Sequence, residues 1–130
     1  MNGSPKPLVA IACGGTGGHL FPGLAVGEEL LKLGCRVQLL ISAKEVDQQA
    51  VRYALGMETV VLPAIGLTRG KMLKFAKGFL DSYRATKRAF RKDPPQAVLA
   101  MGGFTSAPPV LAGRSFGAVT FLHESNTIPG

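Results

Sequence analysis

The sequence predicts an α/β fold in which helices cover both faces of a parallel β-sheet. Short apolar runs alternate along the chain with longer segments whose apolar residues recur every three or four positions, a pattern typical of alternating strands and helices. Two of the apolar runs end in glycine-rich turns directly before a helical segment. The chain has 130 residues, of which 46% are hydrophobic and 18% charged, so we expect one domain with a packed core and not a disordered chain.

The first predicted strand and the loop after it are the most informative stretch. The apolar run Leu8 to Cys13 predicts a buried strand, and Gly14 to Gly18 contains four glycines around Thr16. Glycine permits positive φ and lets a ligand approach the backbone closely. The N–H groups of such a loop and of the next helical turn bind anions. The stretch therefore predicts a phosphate or diphosphate site with His19 at its edge; a turn that only packs a helix against a strand is the structural alternative.

Two common nucleotide-binding motifs do not match this loop. A dinucleotide fingerprint needs a third glycine at the position of Leu20 and an acidic residue at the end of the second strand, where Ser42 stands. A Walker A loop needs a lysine at the position of His19. A nicotinamide-dependent dehydrogenase domain is therefore disfavoured.

The remaining elements follow in order along the chain. Pro22 in a first turn and Gly34 as a stop predict a helix over residues 22–33, and Ser42 is a candidate cap for a helix from Lys44 to Leu55. The further predicted strands are Val37–Ile41, Thr59–Leu62, Ala97–Met101 and Ala118–Leu122. The further predicted helices are Lys71–Lys92 and residues 109–115, the second with Thr105 or Ser106 as cap, Pro108 in its first turn and Gly117 after its end.

The formal net charge of +7 comes from one segment. Residues 65–92 contain nine basic residues and one acidic residue, Asp81, so the segment carries +8 and the rest of the chain −1. Apolar residues recur there at helical spacing, which leaves both a solvated amphipathic helix and a membrane-surface patch open. Nucleic-acid binding is disfavoured because no binding motif is present. The candidates for membrane contact are Ile65, Leu67, Arg69, Lys71, Met72, Lys74 and Phe75.

Three predicted strands, the first, fourth and fifth, end in glycine or polar residues. In a parallel sheet all the carboxyl ends lie at one edge, where ligands bind. The fourth strand runs into Gly102–Gly103, and the fifth ends at His123 and Glu124, with Asn126 close behind. We expect the two glycine turns to face one another across a crevice, with His19 as a candidate general base. Hydrogen bonds that tie His123 or Glu124 to neighbouring strands are the structural alternative.

The two cysteines, Cys13 and Cys35, have neither a metal-ligand spacing nor the pattern of a disulfide framework, which suits a reducing cytosol. No apolar run is long enough for a signal peptide or a membrane span.

Three motifs together resemble the MurG family of bacterial glycosyltransferases. They are GGTGGH followed by FPG at the first turn, MGGFTSAP at the second, and HESNTIPG after the fifth strand, in that order over nearly the whole chain. The range Ile65 to Lys71 is also similar to the membrane-facing loop of that family. Two positions depart from the pattern, because Phe104 stands where the family often has tyrosine and Ser125 where it often has glutamine.

The resemblance implies that residues 1–130 form the N-terminal, acceptor-binding, Rossmann-like half of a GT-B glycosyltransferase, whose donor-binding C-terminal domain lies outside them. The implied reaction is an inverting transfer of N-acetylglucosamine from UDP-N-acetylglucosamine to the lipid-linked muramyl-pentapeptide precursor of peptidoglycan, lipid I to lipid II. It implies a peripheral protein on the cytoplasmic face of the bacterial membrane, with no metal and no cofactor besides the UDP-sugar. We expect the isolated chain to be inactive. A non-catalytic, membrane-recruiting subunit of a split glycosyltransferase is the alternative.

The resemblance also assigns roles to particular residues. His19 matches the proposed catalytic histidine, which would accept the proton of the attacking muramyl 4-hydroxyl. The residues that match donor-contacting positions are Thr16, Gly17, Gly18 and Asn126. The residues expected at the acceptor diphosphate are Gly14, Gly15, Gly102, Gly103, Thr105 and Ser106, with His123 and Glu124 in support.

Overall fold

A computed structural model describes residues 6–13, 17–42, 56–63, 65 and 70–123 of the chain, without the side chains of residues 17–19 and 104. Its strands form one parallel sheet in the order β3-β2-β1-β4-β5. The strands are β1 (Leu8–Ala12), β2 (Arg36–Ser42), β3 (Glu58–Leu62), β4 (Ala97–Ala100) and β5 (Val119–Leu122). Each strand agrees with the predicted one to within one residue at either end. The described helices are α1 (Gly17–Lys32), α2 (Met72–Lys92) and α3 (Ala107–Ser115), and a 3₁₀ turn spans Phe104–Ser106.

Alternate residues along each strand face the two sides of the sheet, and a separate apolar core forms on each side. On one side Ile11, Leu39 and Ile41 pack with Leu20 and Leu24 of α1. On the other side the core joins the sheet to α2 and α3, and its members include Ala10, Leu40, Val98, Phe90 and Ala112. Because both faces are covered, the central strands read as continuous apolar runs. The predicted fold class is confirmed.

The start of α1 differs from the prediction. The helix begins at Gly17, so Pro22 lies inside it and not in its first turn. Glycine adopts helical as readily as left-handed backbone, so the sequence alone did not show that Gly17 and Gly18 belong to the helix. The missing N–H of Pro22 removes one intrahelical bond, the one to the carbonyl of Gly18. The predicted helix from Lys44 to Leu55 lies outside the described residues.

The long helix α2 buries Ser82, Thr86 and Phe90, and Phe90 packs with residues of the sheet. Phe90 is fully buried, and its ring meets Phe116 edge-on with centroids 6.4 Å apart. The half-buried rings of Phe75 and Phe79 pair at 6.2 Å. No helix among the residues described has both the length and the hydropathy needed to cross a membrane.

Candidate functional site

The order of strands places the ends of β1 and β4 side by side, although the two strands are far apart in the sequence. Ala12 pairs with Ala100, and the N–H of Met101 donates to the carbonyl of Ala12 at 3.0 Å. The order of the strands reverses between β1 and β4: β2 and β3 are added on one side of β1, and β4 and β5 on the other. In open α/β sheets the crevice at such a reversal is the usual ligand site. The Gly102–Gly103 turn follows β4 at this edge, and α1 begins at Gly17, shortly after the end of β1.

The first turn leads into the N-terminus of α1. Gly17, Gly18 and His19 form the first helical turn with Leu20, and no acidic residue is among them. The N–H groups of a first turn have no intrahelical acceptor and favour an anion. The predicted site residues Gly14, Gly15 and Thr16, as well as the side chain of His19, lie outside the described part of the chain.

The position of this helix is fixed by a close approach to β1. A Cβ atom built on Gly23 would lie 3.0 Å from the Cβ of Cys13 and 3.4 Å from its Sγ. Cys13 is fully buried, and its N–H donates to the carbonyl of Leu40 at 3.1 Å. Gly23 was not among the predicted site or packing residues, although a glycine inside a segment of helical periodicity is a signal of close packing.

The second turn has a strained backbone that only glycine adopts easily. Gly102 has φ +114° and Gly103 has φ +81°. The Ser106 hydroxyl contacts the carbonyl oxygens of both residues, at 2.6 Å and 2.8 Å, and the N–H of Ser106 donates to Gly103 at 3.2 Å. Ser106 does occupy the N-cap position of α3, as predicted, but its side chain makes no capping bond. It binds back to the turn and stabilises the turn's shape.

The start of α3 offers fewer anion donors than the start of α1. Pro108 and Pro109 follow Ala107 in the first turn, and proline has no N–H. Donors for an anion on this side of the crevice must therefore come mainly from the turn itself. Pro108 in the first turn agrees with the prediction.

A small cavity of about 20 Å³ lies beneath this edge of the sheet, with room for about one water molecule. Its polar walls are Ser42, Ser82 and Thr105, and Leu62 and Ile65 are among its apolar walls. Ile65 is only 4% exposed. The prediction that Ile65 faces a membrane is therefore wrong, because the chain turns inward after β3 and packs this side chain beside Leu62.

His123 lies at the same edge, directly after β5. Its N–H donates to the carbonyl of Ala100 at 2.7 Å, which extends the β4–β5 pairing by one residue. The residue is exposed. The structural alternative for His123 was a hydrogen bond to a neighbouring strand. Such a bond exists, but it is made by the backbone N–H of His123 and not by its side chain. Glu124 and Asn126 lie outside the described residues.

The middle of α2 lies at this edge, and its first turns extend past it. Ser82 shares the small cavity with the end of β2, whereas Asp93, after the helix, binds Arg36 at the start of β2. The helix therefore runs opposite to the strands, from the edge with the glycine turns to the far edge.

The outer face of α2 combines exposed apolar and basic side chains. Met72 is 78% and Leu73 87% exposed, and Leu80 is also exposed. Of the other candidates for membrane contact, Lys71 and Lys74 are exposed and Phe75 is half-buried. Leu67 and Arg69 lie outside the described residues. Leu73 and Leu80 were not among the predicted contact residues, although their seven-residue spacing places them on one side of the helix.

Within the described part of the chain, no group of three or more His, Cys, Asp or Glu side chains could hold a metal ion.

A sequence profile of the glycosyltransferase family 28 N-terminal domain matches residues 9–130. The chain belongs to glycosyltransferase family 28. The resemblance to MurG is confirmed by relatives whose name is UDP-N-acetylglucosamine–N-acetylmuramyl-(pentapeptide) pyrophosphoryl-undecaprenol N-acetylglucosamine transferase. The relative from Pelobacter propionicus is 40% identical over 126 residues, and the alignment covers 92% of this chain and 33% of that protein. The relative from Salmonella arizonae is 36% identical over 135 residues, and the alignment covers 100% of this chain and 37% of that protein.

Solved structures agree with this family assignment. The crystal structure of Acinetobacter baumannii MurG matches with a TM-score of 0.77 and 27% identity over 97% of this chain and 37% of that one. The glycosyltransferase of kitacinnamycin shares the fold, with a TM-score of 0.71 at 22% identity over 91% of this chain and 30% of that one. The described sheet is therefore the N-terminal part of a GT-B fold. This family 28 chain spans about a third of the length of the relatives it matches.

Proposed function

We propose that this chain is the acceptor-side, N-terminal domain of an inverting transferase. The transferase moves N-acetylglucosamine from UDP-N-acetylglucosamine to a lipid-linked muramyl-pentapeptide. The principal support is the pairing of β1 with β4, which brings the start of α1 and the Gly102–Gly103 turn to adjoining points of one edge. The substrates are those named for the related transferases.

The acceptor diphosphate is proposed to lie between the two turns. On one side the N–H groups of Gly17, Gly18 and His19 point out of the first turn of α1. On the other side the turn at Gly102–Gly103, held by the Ser106 hydroxyl, presents backbone to the same crevice. Donors fixed before the ligand arrives need no reorganisation, which is the condition for effective charge stabilisation.

The chemical step requires one base. The muramyl 4-hydroxyl attacks the anomeric carbon, the new C–O bond forms on the face opposite to the leaving group, and UDP departs with the electron pair of the broken C–O bond. We assign the hydroxyl proton to the imidazole of His19, because its backbone lies in the first turn of α1 beside the proposed diphosphate site. A histidine near its ordinary pKa is suited to accept that proton at neutral pH. Thr16, Gly17, Gly18 and Asn126 remain the proposed contacts to the donor.

A lipid-linked acceptor would have to reach this crevice from a membrane, and we propose that the first turns of α2 make that contact. Met72 and Leu73 are the two most exposed large apolar side chains of α2, with Lys71 and Lys74 beside them. Such a combination binds the interface of an anionic bilayer.

Vesicle binding of the chain, with and without the lipid-linked muramyl precursor, tests both parts of the proposal. We expect binding to anionic vesicles to increase when the precursor is present. Leu73→Ser is expected to weaken binding about tenfold, because about 1.5 kcal/mol of side-chain burial is lost. The double variant Lys71→Glu/Lys74→Glu is expected to weaken it at least ~30-fold, at about 1 kcal/mol per basic residue.

Matched controls lie away from the proposed surface. Leu33 is 79% exposed, at the end of α1 on the other face of the sheet, so Leu33→Ser makes the same chemical change elsewhere. Lys6→Glu/Lys32→Glu produces the same change in net charge. If the controls weaken binding as much as the test variants, α2 is not the contact surface. If binding ignores the precursor in every variant, the acceptor assignment is refuted.

The chain alone is expected to release no UDP from UDP-N-acetylglucosamine in the presence of the precursor, because it spans about a third of its relatives. A coupled assay for UDP measures this directly, and turnover above the rate of a His19→Ala control would contradict the prediction.

A further inference from the structure

A second groove lies at the other end of the strands, away from the glycine turns. It has a volume of about 380 Å³ and runs between the last turns of α2 and the β2–β3 edge of the sheet. Gln38, near the start of β2, pairs in register with Glu58, the first residue of β3, and both line the groove. Arg88 and Lys92 line it from α2. The proposed transferase site uses none of these residues.

The floor of this groove contains a buried polar atom without a partner. Gln38 is only 4% exposed, and its Oε1 has no hydrogen-bond partner in the part of the chain that the structure describes. Buried polar side chains are nearly always paired, because an unpaired carbonyl oxygen loses its hydration and gains nothing in return. A group that enters the groove and donates a hydrogen bond would remove this penalty.

Some of the charged side chains around the groove are in ion pairs and others are not. The carboxylates of Glu58 and Asp93 are both bound by Arg36, which contacts Glu58 Oε2 at 3.2 Å and both oxygens of Asp93. The pKa of Arg36 is raised, first by its hydrogen bond to Asp93 and then by the one to Glu58. Arg88 and Lys92 are exposed and join no ion pair among the described residues. Counted with Arg36, the groove has three cations and two carboxylates and therefore a net charge of +1, and Arg88 and Lys92 are its cations without an ion pair among the described residues.

The remaining wall is apolar and is formed by Val60, Val61, Ala85 and Ala89. An apolar wall, one buried acceptor and two rim cations suit a compact molecule with a C–H face, a hydroxyl and an anionic group. A hydroxyl both donates and accepts, so it pairs with the Gln38 amide in either orientation. The volume falls within the range of small-molecule sites.

We propose that this groove is a binding site for a monosaccharide phosphate or a similar phosphorylated polyhydroxy compound. A sugar hydroxyl binds Gln38, the sugar ring packs on the wall, and the phosphate binds Arg88 and Lys92. The site is separate from the proposed transferase site, and the inference does not depend on that function.

Nuclear magnetic resonance of the ¹⁵N-labelled chain tests the proposal through the side-chain amide of Gln38. We expect glucose 6-phosphate to shift that amide resonance in a saturable manner at millimolar concentration, and equimolar inorganic phosphate to shift it far less. Gln38→Leu and Arg88→Ala are each expected to weaken the affinity about tenfold, the ordinary effect of losing one buried or charge-assisted hydrogen bond. Arg91→Ala is the control, because Arg91 is an exposed cation on the same helix outside this groove.

Each other outcome overturns the proposal. Equal shifts with inorganic phosphate and glucose 6-phosphate would indicate an adventitious ion only. Equal weakening in Arg91→Ala would indicate diffuse charge attraction to α2. Full affinity in a folded Gln38→Leu variant would show that the buried amide has no part in binding. If that variant does not fold, two measurements still test the proposal. They are the Gln38 amide shift in the wild type and the comparison of the affinities of Arg88→Ala and Arg91→Ala.

Discussion

Replacing Ser106 with alanine would remove the hydroxyl that holds the second glycine turn. That hydroxyl lies 2.6 Å from the Gly102 carbonyl oxygen and 2.8 Å from that of Gly103, and the residue is buried. Both glycines have positive φ, so the bonds restrain a backbone that is otherwise free to relax. The variant tests whether the turn is held by this side chain or only by its own backbone.

The expected loss in the free energy of unfolding is about 1–1.5 kcal/mol. A buried intramolecular hydrogen bond contributes about 0.5–1.5 kcal/mol, and an acceptor left unpaired adds to that cost. The addition is small here because Gly103 is exposed and water can reach its carbonyl. For a chain of this length, 1 kcal/mol corresponds to ~4 °C in melting temperature, so a decrease of about 4–6 °C is expected.

Ser115 provides a matched control at the other end of the same helix. Its hydroxyl also donates to a backbone carbonyl, that of Ala112, at 2.7 Å, but the residue is exposed. Ser115→Ala is expected to cost no more than about 0.5 kcal/mol, because water replaces the lost bond. Urea unfolding followed by far-ultraviolet circular dichroism measures both variants.

Two results would refute the reasoning. Equal losses in Ser106→Ala and Ser115→Ala would mean that burial of the hydroxyl does not determine its contribution. A large loss in Ser106→Ala with unchanged precursor-dependent vesicle binding would mean that the shape of this turn is not needed for acceptor binding.

Further predictions concern packing and charge. Gly113→Ala is expected to destabilise the chain by about 1–3 kcal/mol, since its Cβ would lie 2.5 Å from Cγ2 of Val98 in the core; an unchanged urea midpoint would contradict this. Gly27→Ala is expected to change stability by less than about 1 kcal/mol, because the nearest atoms to its Cβ, at 2.7 and 2.9 Å, belong to the flexible end of Met57, Val37 Cγ1 lies at 3.3 Å, and alanine favours the helix; a loss equal to that of Gly113→Ala would show that the neighbour's flexibility does not matter. Asp93→Ala is expected to cost about 0.5–1 kcal/mol at low salt and less in 1 M NaCl, since the Arg36 pair is partly exposed. The pKa of Arg36 is raised, so its charge contributes fully to stability below the ordinary guanidinium pKa and loses that contribution only as the pH rises through the raised value. The cost of Asp93→Ala should therefore be the same at pH 7 and at pH 9. A smaller cost at pH 9 than at pH 7 would contradict the assignment.

The sequence was sufficient wherever a local pattern has one structural solution. The five apolar runs predicted as strands are strands, because a sheet covered on both faces needs such runs and turn residues end them. That the ends of β1 and β4 lie at one edge also followed from the sequence, since the carboxyl ends of parallel strands share an edge.

The sequence was insufficient where a residue has two conformations or two environments open to it. Gly17 and Gly18 fit either a loop or a helix, and only the structure placed them in α1. Ser106 at a helix start fits either a capping acceptor or a donor to the preceding turn, and the positive φ of Gly102 and Gly103 brings their carbonyls within its reach. The side chain of Ile65 suits either a membrane surface or a protein core. In the structure it is buried beside Leu62.

By itself, then, the sequence determined the fold class and the strand positions, because periodicity and turn residues are local properties of the chain, and its three motifs carried the resemblance to the family. Tertiary structure alone decided which apolar and polar side chains are covered. The exposure of Leu73, the contact of Gly113 with Val98 and the unpaired oxygen of Gln38 each depend on atoms from a different element. Such contacts leave no periodic trace in the sequence, since they join residues whose separation along the chain is arbitrary.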